Sequence, residues 1–125
     1  YKELFEKFPA KGSVIIFGND QAPKKGTGIW TTFLNQETAV PFGAEKLASK
    51  LNLPVVYCFI DKIKRGFYSM EYRLICDDPV DFNLGQISVE STRELERDIL
   101  QQPEYWLWSH RRWKRTRTQK EKLYA

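Results

Sequence analysis

Two polar residues near the start of the chain have the chemistry of a binding site. Asp20 and Gln21 lie in segment 18–28, which contains three glycines and one proline. Glycines allow backbone N–H groups to approach a ligand closely, and a carboxylate beside them could bind a polar group. Asp20 could equally cap the loop by accepting hydrogen bonds from backbone amides. The segment matches neither a dinucleotide fingerprint nor a P-loop, so these two nucleotide sites are excluded.

The segment 103–117 mixes aromatic and basic side chains. Residues 110–125 carry seven Lys or Arg and one Glu, a net charge of +6, while the rest of the chain carries −2. Such a mixture suits single-stranded nucleic acid or an anionic bilayer surface. It is also typical of tryptophans that pack under a core while the cations form a solvated face. The segment alone does not distinguish these three interpretations. The residues are Tyr105, Trp106, Trp108, His110, Arg111, Arg112, Trp113, Lys114, Arg115 and Arg117.

The other reactive side chains do not form a complete catalytic set. His110 is the only histidine and has cationic neighbours, so we expect a structural role or a phosphate contact rather than a general base. Cys58 and Cys76 lie in apolar surroundings and are expected to be buried small hydrophobes in a reducing compartment. With one histidine and no Cys-x-x-Cys pair, the sequence predicts no metal site, and no cofactor motif is present.

Hydrophobic periodicity predicts the elements that would position these residues. The run from Ser13 to Phe17 is apolar without alternation, as in a strand buried on both faces, and it would place the Asp20 loop at the end of that strand. Ser91 and Glu94 have capping-box spacing for a helix that Pro103 stops. The other predicted elements are a short helix around Leu4, Phe5 and Phe8, a helix over 42–51, a buried strand over 53–60 and a half-exposed strand over 67–76.

These elements predict an α/β fold with a mixed sheet flanked by helices. The fold should be incomplete, because two strands that are apolar on both faces need more chain around them. We expect one domain over 1–117 and a flexible basic tail over 118–125.

No apolar run approaches the roughly 20 residues of a membrane span, and residues 1–11 lack the apolar block of an export leader. The absence of a starting methionine suggests an upstream segment.

Two separated patterns resemble the second half of the bacterial lipid A biosynthesis acyltransferases, the lauroyl and myristoyl transferases of the lysophospholipid acyltransferase superfamily. The more specific pattern is the near-contiguous run of rare residues from Pro103 to Lys114. The other comprises Asn19-Asp20-Gln21, Phe33-Leu34, Thr38, Gly43-Ala44, Leu47-Ala48 and Pro54-Val55-Val56.

The resemblance implies an enzyme of lipopolysaccharide biosynthesis at the cytoplasmic face of the inner membrane. It would transfer a fatty acyl group from acyl carrier protein to a hydroxyl of a lipid A precursor. Family members use a histidine and an acid spaced four residues apart, with the histidine as general base. His110 is followed by Arg111, Arg112, Trp113, Lys114 and Arg115, so no acid has the required spacing and His110 belongs to the terminal pattern. The catalytic pair and the membrane anchor are expected upstream, and this chain alone should be inactive.

The resemblance also implies which residues serve the site. Asp20 is expected to be a supporting active-site group beside the catalytic histidine. Gln21, Thr38 and Gly43 are expected to line the substrate pocket. The cations Arg111, Arg112 and Lys114 are expected to contact acidic headgroups or the anionic carrier protein.

Two other functions remain as alternatives. A related acyltransferase for phosphatidylinositol mannosides has the same layout and is not distinguished by these residues. An unrelated nucleic-acid-binding α/β module is disfavoured by the resemblance, so no nucleic-acid partner is expected. If an upstream layer is missing, the chain should expose apolar surface and self-associate.

Overall fold

The computed structural model describes residues 14–125, which form an α/β fold with two small sheets and two α-helices. Short 3₁₀ turns at Pro79–Asp81 and Pro103–Tyr105 flank the second helix. The elements in chain order are β1 (Gly28–Phe33), β2 (Gln36–Pro41), α1 (Gly43–Leu51), β3 (Val55–Lys64), β4 (Phe67–Cys76), α2 (Gln86–Gln101) and β5 (Leu123–Tyr124). The predicted α/β class is confirmed, and helix α1 lies where the sequence places it.

The first sheet is mixed, with strand order β2-β1-β5. Strand β1 pairs antiparallel with β2 and parallel with β5. A core of Ile29, Val40, Phe42 and Val89 lies beneath it, with Tyr124 packed against its side. Strand β5 falls within the stretch 118–125; the flexibility of that tail stays a prediction.

The β1–β2 hairpin has no counterpart in the sequence expectations. Its two turn residues, Leu34 and Asn35, have positive φ angles of 48° and 60°, as a two-residue type I′ turn requires. Asn or Gly is usual at these positions, and leucine is not, which is why the turn gave no sequence signal. The Leu34 N–H donates to Glu96 Oε1 of α2 at 2.8 Å, which helps to hold the turn.

The predicted buried strand from Ser13 to Phe17 is wrong within its described part. Residues 14–17 form neither helix nor strand, and the side chains of Val14 and Ile16 are exposed. Both edges of β1 are already paired, one with β2 and the other with β5, so residues 14–17 cannot add to the sheet beside β1. The helix expected around Leu4, Phe5 and Phe8 lies outside the described residues.

Strands β3 and β4 form the second sheet, an antiparallel hairpin that turns at Arg65–Gly66. Helix α2 packs against one side of it. The other side, which we call the exposed sheet face, is open to solvent within the described chain. Its members pair across the hairpin as Val56 with Leu74, Cys58 with Tyr72 and Ile60 with Met70.

This exposed sheet face corrects three expectations. Strand β3 is covered on one side only, because α2 is the helix that packs on the hairpin, so it alternates between half-buried and exposed residues. In β4 the apolar residues Met70, Tyr72 and Leu74 face solvent, while Arg73 points toward α2. Cys58 is exposed for the same reason, whereas Cys76 is buried; both thiols are free.

Helix α2 begins at Gln86, five residues before the predicted capping box, and ends before Pro103 as expected. Ser91 is buried inside the helix. The cap comes instead from Glu45 of α1, a side chain only 3% exposed, whose carboxylate accepts the backbone N–H groups of Gly85 and Ser88. A carboxylate at a helix N-terminus satisfies free amides and complements the helix dipole, so α1 and α2 are joined by a non-local cap.

A charged network joins the second half of α2 to the β3–β4 hairpin. Arg73 Nη1 lies 2.9 Å from both Glu94 Oε2 and Asp98 Oδ1. The Tyr57 hydroxyl donates to Asp98 Oδ2 at 2.6 Å. Because Asp98 is buried and both of its oxygens are paired, the network fixes the hairpin against the helix.

We predict that Glu45→Ala lowers the free energy of unfolding by about 2 kcal/mol, because it leaves two buried amides without an acceptor. Urea unfolding monitored by circular dichroism measures the change. Ser49→Ala, an exposed substitution on the same helix, is the control and should leave the midpoint unchanged. Equal midpoints for the two variants would contradict the capping role of Glu45.

We also predict a loss of stability at alkaline pH that depends on Tyr57. Burial and the hydrogen bond to Asp98 raise the pKa of the Tyr57 phenol far above its ordinary value. Its contribution is therefore complete below the unfolded-state pKa of about 10 and is lost as the pH rises toward the folded-state pKa. Unfolding midpoints measured across this range should fall less steeply for Tyr57→Phe than for the wild type. Tyr72→Phe, on the exposed sheet face, should keep the wild-type slope.

Candidate functional site

The loop that carries Asp20 meets the aromatic, basic segment beside strands β1 and β2. The backbone N–H of Ala22 donates to His110 Nε2 at 3.3 Å, across 88 residues of sequence. Trp113 Nε1 donates to the Thr38 hydroxyl of β2 at 2.8 Å. We call this region the loop–terminus cluster. It joins the two sequence patterns in space.

Arg112 is at the centre of the cluster and is only 4% exposed. Its Nη1 donates to the carbonyl of Ala39 in β2 at 2.7 Å, and its guanidinium lies 5.6 Å from the ring centroid of Phe33. Burial lowers the pKa of Arg112 to about 10, and the negative charge of Asp20 acts in the opposite direction. The guanidinium therefore remains charged at neutral pH and brings a fixed positive charge into the cluster.

Asp20 is half-buried and lies close enough to Arg112 for the two charges to interact. Within residues 14–125 its carboxylate accepts no hydrogen bond and forms no ion pair under 4 Å. The geometry therefore gives no support to the alternative in which Asp20 caps the loop through backbone amides. As far as the described residues go, both of its oxygens can accept a hydrogen bond from a ligand.

The aromatic rings of the cluster form its apolar wall. Phe33, which is completely buried, lies 6.1 Å from Trp106 in an edge-to-face arrangement and 6.2 Å from Trp113 in a stacked one. Aromatic pairs at this separation stabilise a structure beyond the area they bury. The packing interpretation of the terminal segment therefore holds for Trp106 and Trp113, whereas Trp108 is more than half exposed.

Two buried polar atoms in this region have no hydrogen-bond partner within the described chain. They are Asn19 Oδ1, next to Asp20, and Arg112 Nε. A buried polar atom left unpaired costs roughly 1–3 kcal/mol. One acceptor and one cationic donor are thus available here for a further polar group.

The predicted site residues fall into two groups. Asp20, Thr38 and Arg112 belong to the loop–terminus cluster, although Thr38 is buried and its hydroxyl is already bonded to Trp113 and Gln36. The others are dispersed around it: Gln21, Arg111 and Lys114 are exposed, and Gly43 is the first residue of α1. Exposure leaves Arg111 and Lys114 accessible to an acidic partner, while the burial of Arg112 directs its charge inward.

Sequence reasoning missed three contributors to this cluster. Phe33 and Trp113 provide the stacked wall, and the Ala39 carbonyl holds the Arg112 guanidinium. Trp113 was visible as one of several aromatic residues in the terminal segment, but nothing in its spacing distinguished it from exposed Trp108. A backbone carbonyl has no sequence signal at all.

Over residues 14–125, no group of three or more His, Cys, Asp or Glu side chains is arranged to hold a metal ion. In the same range, no helix combines the length and apolar character that a membrane crossing needs. The loop–terminus cluster itself combines a carboxylate and a buried guanidinium beside an aromatic wall. This arrangement suits the recognition of a polar group attached to an apolar substrate.

The chain is an α/β domain that carries a polar cluster beside an aromatic wall. The family model of the bacterial lipid A biosynthesis acyltransferases matches residues 2–115, which is most of the chain. The chain belongs to this family. Comparisons with curated proteins and with solved structures returned no match.

We predict that Arg112→Gln loosens the Asp20 loop. The substitution removes the charge that faces Asp20 and weakens the bond to the Ala39 carbonyl, which should lower the free energy of unfolding by about 2 kcal/mol. Hydrogen exchange at the Ala22 amide, the donor to His110, should accelerate by about tenfold or more. Arg111→Gln changes the exposed neighbour in the same way and is the matched control. Equal exchange rates in the two variants would contradict an organising role for Arg112.

Proposed function

We propose that this chain forms the C-terminal part of an acyltransferase that moves a fatty acyl group from acyl carrier protein to a hydroxyl of a lipid A precursor. Membership of the family supports acyl transfer in lipid A biosynthesis in general. The observation that carries the finer proposal is the loop–terminus cluster, in which the charge of Asp20 acts on the buried guanidinium of Arg112.

The proposed chemistry is attack of the acceptor hydroxyl oxygen on the carbonyl carbon of the acyl thioester. A C–O bond forms, the C–S bond breaks, and the thiol of the carrier leaves with a proton. A histidine base supplied from upstream removes the hydroxyl proton, with an acid orienting that histidine. In this scheme Asp20 is a supporting polar group that helps to organise the site or an arginine that binds phosphate or pantetheine, and Arg112 keeps the Asp20 loop in position.

The surrounding residues have supporting roles in this proposal. In this proposal Gln21, Thr38 and Gly43 line the substrate pocket. The exposed cations Arg111 and Lys114 attract the acidic carrier protein or acidic headgroups, since long-range attraction between opposite charges accelerates encounter. In this proposal the reaction occurs at the cytoplasmic face of the inner membrane, where the carrier protein is available.

We further propose that the chain alone is inactive, because it lacks the histidine and acid spaced four residues apart. The exposed sheet face separately supports the view that further protein covers this chain, since Val56, Ile60, Met70, Tyr72 and Leu74 are each at least half exposed. An apolar surface of this kind is usually covered by another layer of protein. An isolated chain that leaves it open is expected to self-associate, which light scattering measures.

The upstream coding sequence gives a direct test of this assignment. It should encode a histidine followed by an acid at the family's spacing, and the longer polypeptide should transfer acyl groups while the present chain does not. Transfer from acyl carrier protein to a lipid A precursor, followed by mass spectrometry of the product, measures both. An upstream sequence without that pair would remove the proposed mechanism.

We predict that Asp20→Ala in the longer enzyme lowers turnover by about 100-fold or more, because it removes a charged group from the active site. The unfolding midpoint should change little, because the Asp20 carboxylate makes no hydrogen bond in the described chain. Asp77→Ala, an exposed substitution after β4, is the matched control and should keep full activity. Parallel losses of turnover and stability for Asp20→Ala would instead assign Asp20 a structural role.

A further inference from the structure

The turn of the β3–β4 hairpin carries a group of large apolar side chains in solvent. Ile63, Phe67 and Tyr68 are 65%, 58% and 61% exposed. We call residues 62–68 the hairpin tip. The turn itself requires only Gly66, whose φ of 81° favours glycine. The apolar side chains around it therefore remain mostly in solvent within the described chain.

The hairpin tip is also strongly cationic. Lys62, Lys64 and Arg65 are exposed, and no acidic residue occurs between Lys62 and Met70. The Lys64 ammonium lies 4.4 Å from the ring centroid of Phe67, so charge and aromatic surface occur together. Asp61, the nearest acid before the tip, already accepts a hydrogen bond from Gln102 at 2.8 Å.

A second exposed aromatic group adjoins the tip. In residues 103–108, which we call the aromatic turn, Tyr105, Leu107 and Trp108 are all more than half exposed. The Lys62 ammonium lies 5.1 Å from the ring centroid of Tyr105, which brings the turn and the tip together. Trp108 is held on the turn by the bond from its Nε1 to the Pro103 carbonyl at 2.7 Å.

We propose that the hairpin tip and the aromatic turn together form a contact surface for an anionic lipid surface. Aromatic rings settle at headgroup depth, and lysine and arginine reach lipid phosphates while their stems stay in apolar surroundings. The surface holds three cations against one acid, Glu104, which complements a negatively charged leaflet. Ile63 and Leu107 add aliphatic area that hydrocarbon would bury but that nucleobases would not stack on.

A second copy of the chain is a less suitable occupant. Pairing two tips would bring their six cations together, and like charges at close range repel. The uncharged exposed sheet face is the better candidate for protein contact. The proposal goes beyond the acyl transfer proposed above and does not depend on it, since lipid binding requires no catalytic group.

Vesicle binding by the 125-residue chain tests the proposal. The chain should bind vesicles of phosphatidylcholine that contain phosphatidylglycerol, and it should bind pure phosphatidylcholine at least about tenfold more weakly. Trp108 fluorescence should shift to shorter wavelength on binding and be quenched by lipids brominated near the headgroup. Trp108→Phe should remove most of that quenching, because Trp30 is buried and Trp106 and Trp113 are half-buried.

Two double charge-reversal variants test whether anionic vesicles bind this particular surface or are attracted to any basic part of the protein. Lys64→Glu with Arg65→Glu should weaken binding to anionic vesicles by about tenfold or more. Lys24→Glu with Lys25→Glu changes the same charge on an exposed loop and should have little effect. Phe67→Ser should also weaken binding, with an unchanged unfolding midpoint as the check on folding.

Three results would overturn the proposal. They are equal losses for the two charge-reversed pairs, no quenching of Trp108 by brominated lipid, and a dimer in light scattering that Phe67→Ser dissociates. Acyl transfer is not measured in any of these assays. Failure here would leave the proposed enzyme function intact, and an inactive longer enzyme would leave lipid binding intact.

Discussion

The arrangement of both sheets depends on how helix α2 is held at its two ends. At the N-terminus, the buried Glu45 carboxylate accepts amides that have no partner inside the helix. Near the C-terminus, Asp98 is paired with Tyr57 and Arg73 of the hairpin. Between them, Glu96 holds the N–H of Leu34 in the β1–β2 turn. One helix therefore positions the mixed sheet and the hairpin through carboxylates, each satisfied by a residue distant in sequence.

This dependence explains what the sequence could and could not predict. Helix α1, the β3–β4 hairpin and the stop at Pro103 follow from local periodicity and turn chemistry, and they are confirmed. Ser91 has the spacing of a cap, but α2 begins five residues earlier, and the amides at its N-terminus donate to Glu45 instead. The turn at Leu34 is held in part by the Glu96 acceptor, which no local pattern contains. Local rules failed wherever a distant side chain satisfied the backbone.

Burial was harder to predict than secondary structure, for a related reason. The alternation of β4 is real, but its apolar side faces solvent because α2 lies against Arg73 and Asp98 pairs with that charge. A buried ion pair costs desolvation and is retained only where its hydrogen bonds are complete. The burial of Arg112 differs from expectation in the opposite direction. This cation was expected to contact acidic partners at the surface, but it is buried against Phe33 and the Ala39 carbonyl. In both cases the partner decided which face was buried.

The β3–β4 hairpin carries two apolar surfaces with different electrostatics. The exposed sheet face, formed by the pairs Val56–Leu74, Cys58–Tyr72 and Ile60–Met70, is uncharged, so burying it against protein requires no partner charge. The hairpin tip places Phe67 beneath the Lys64 ammonium, so burying it in a dry protein interface would desolvate a cation without a counter-ion. At a lipid headgroup that cation stays hydrated and meets phosphate while the ring moves into the apolar layer. The same hairpin is thus suited to protein contact along its length and to lipid contact at its end.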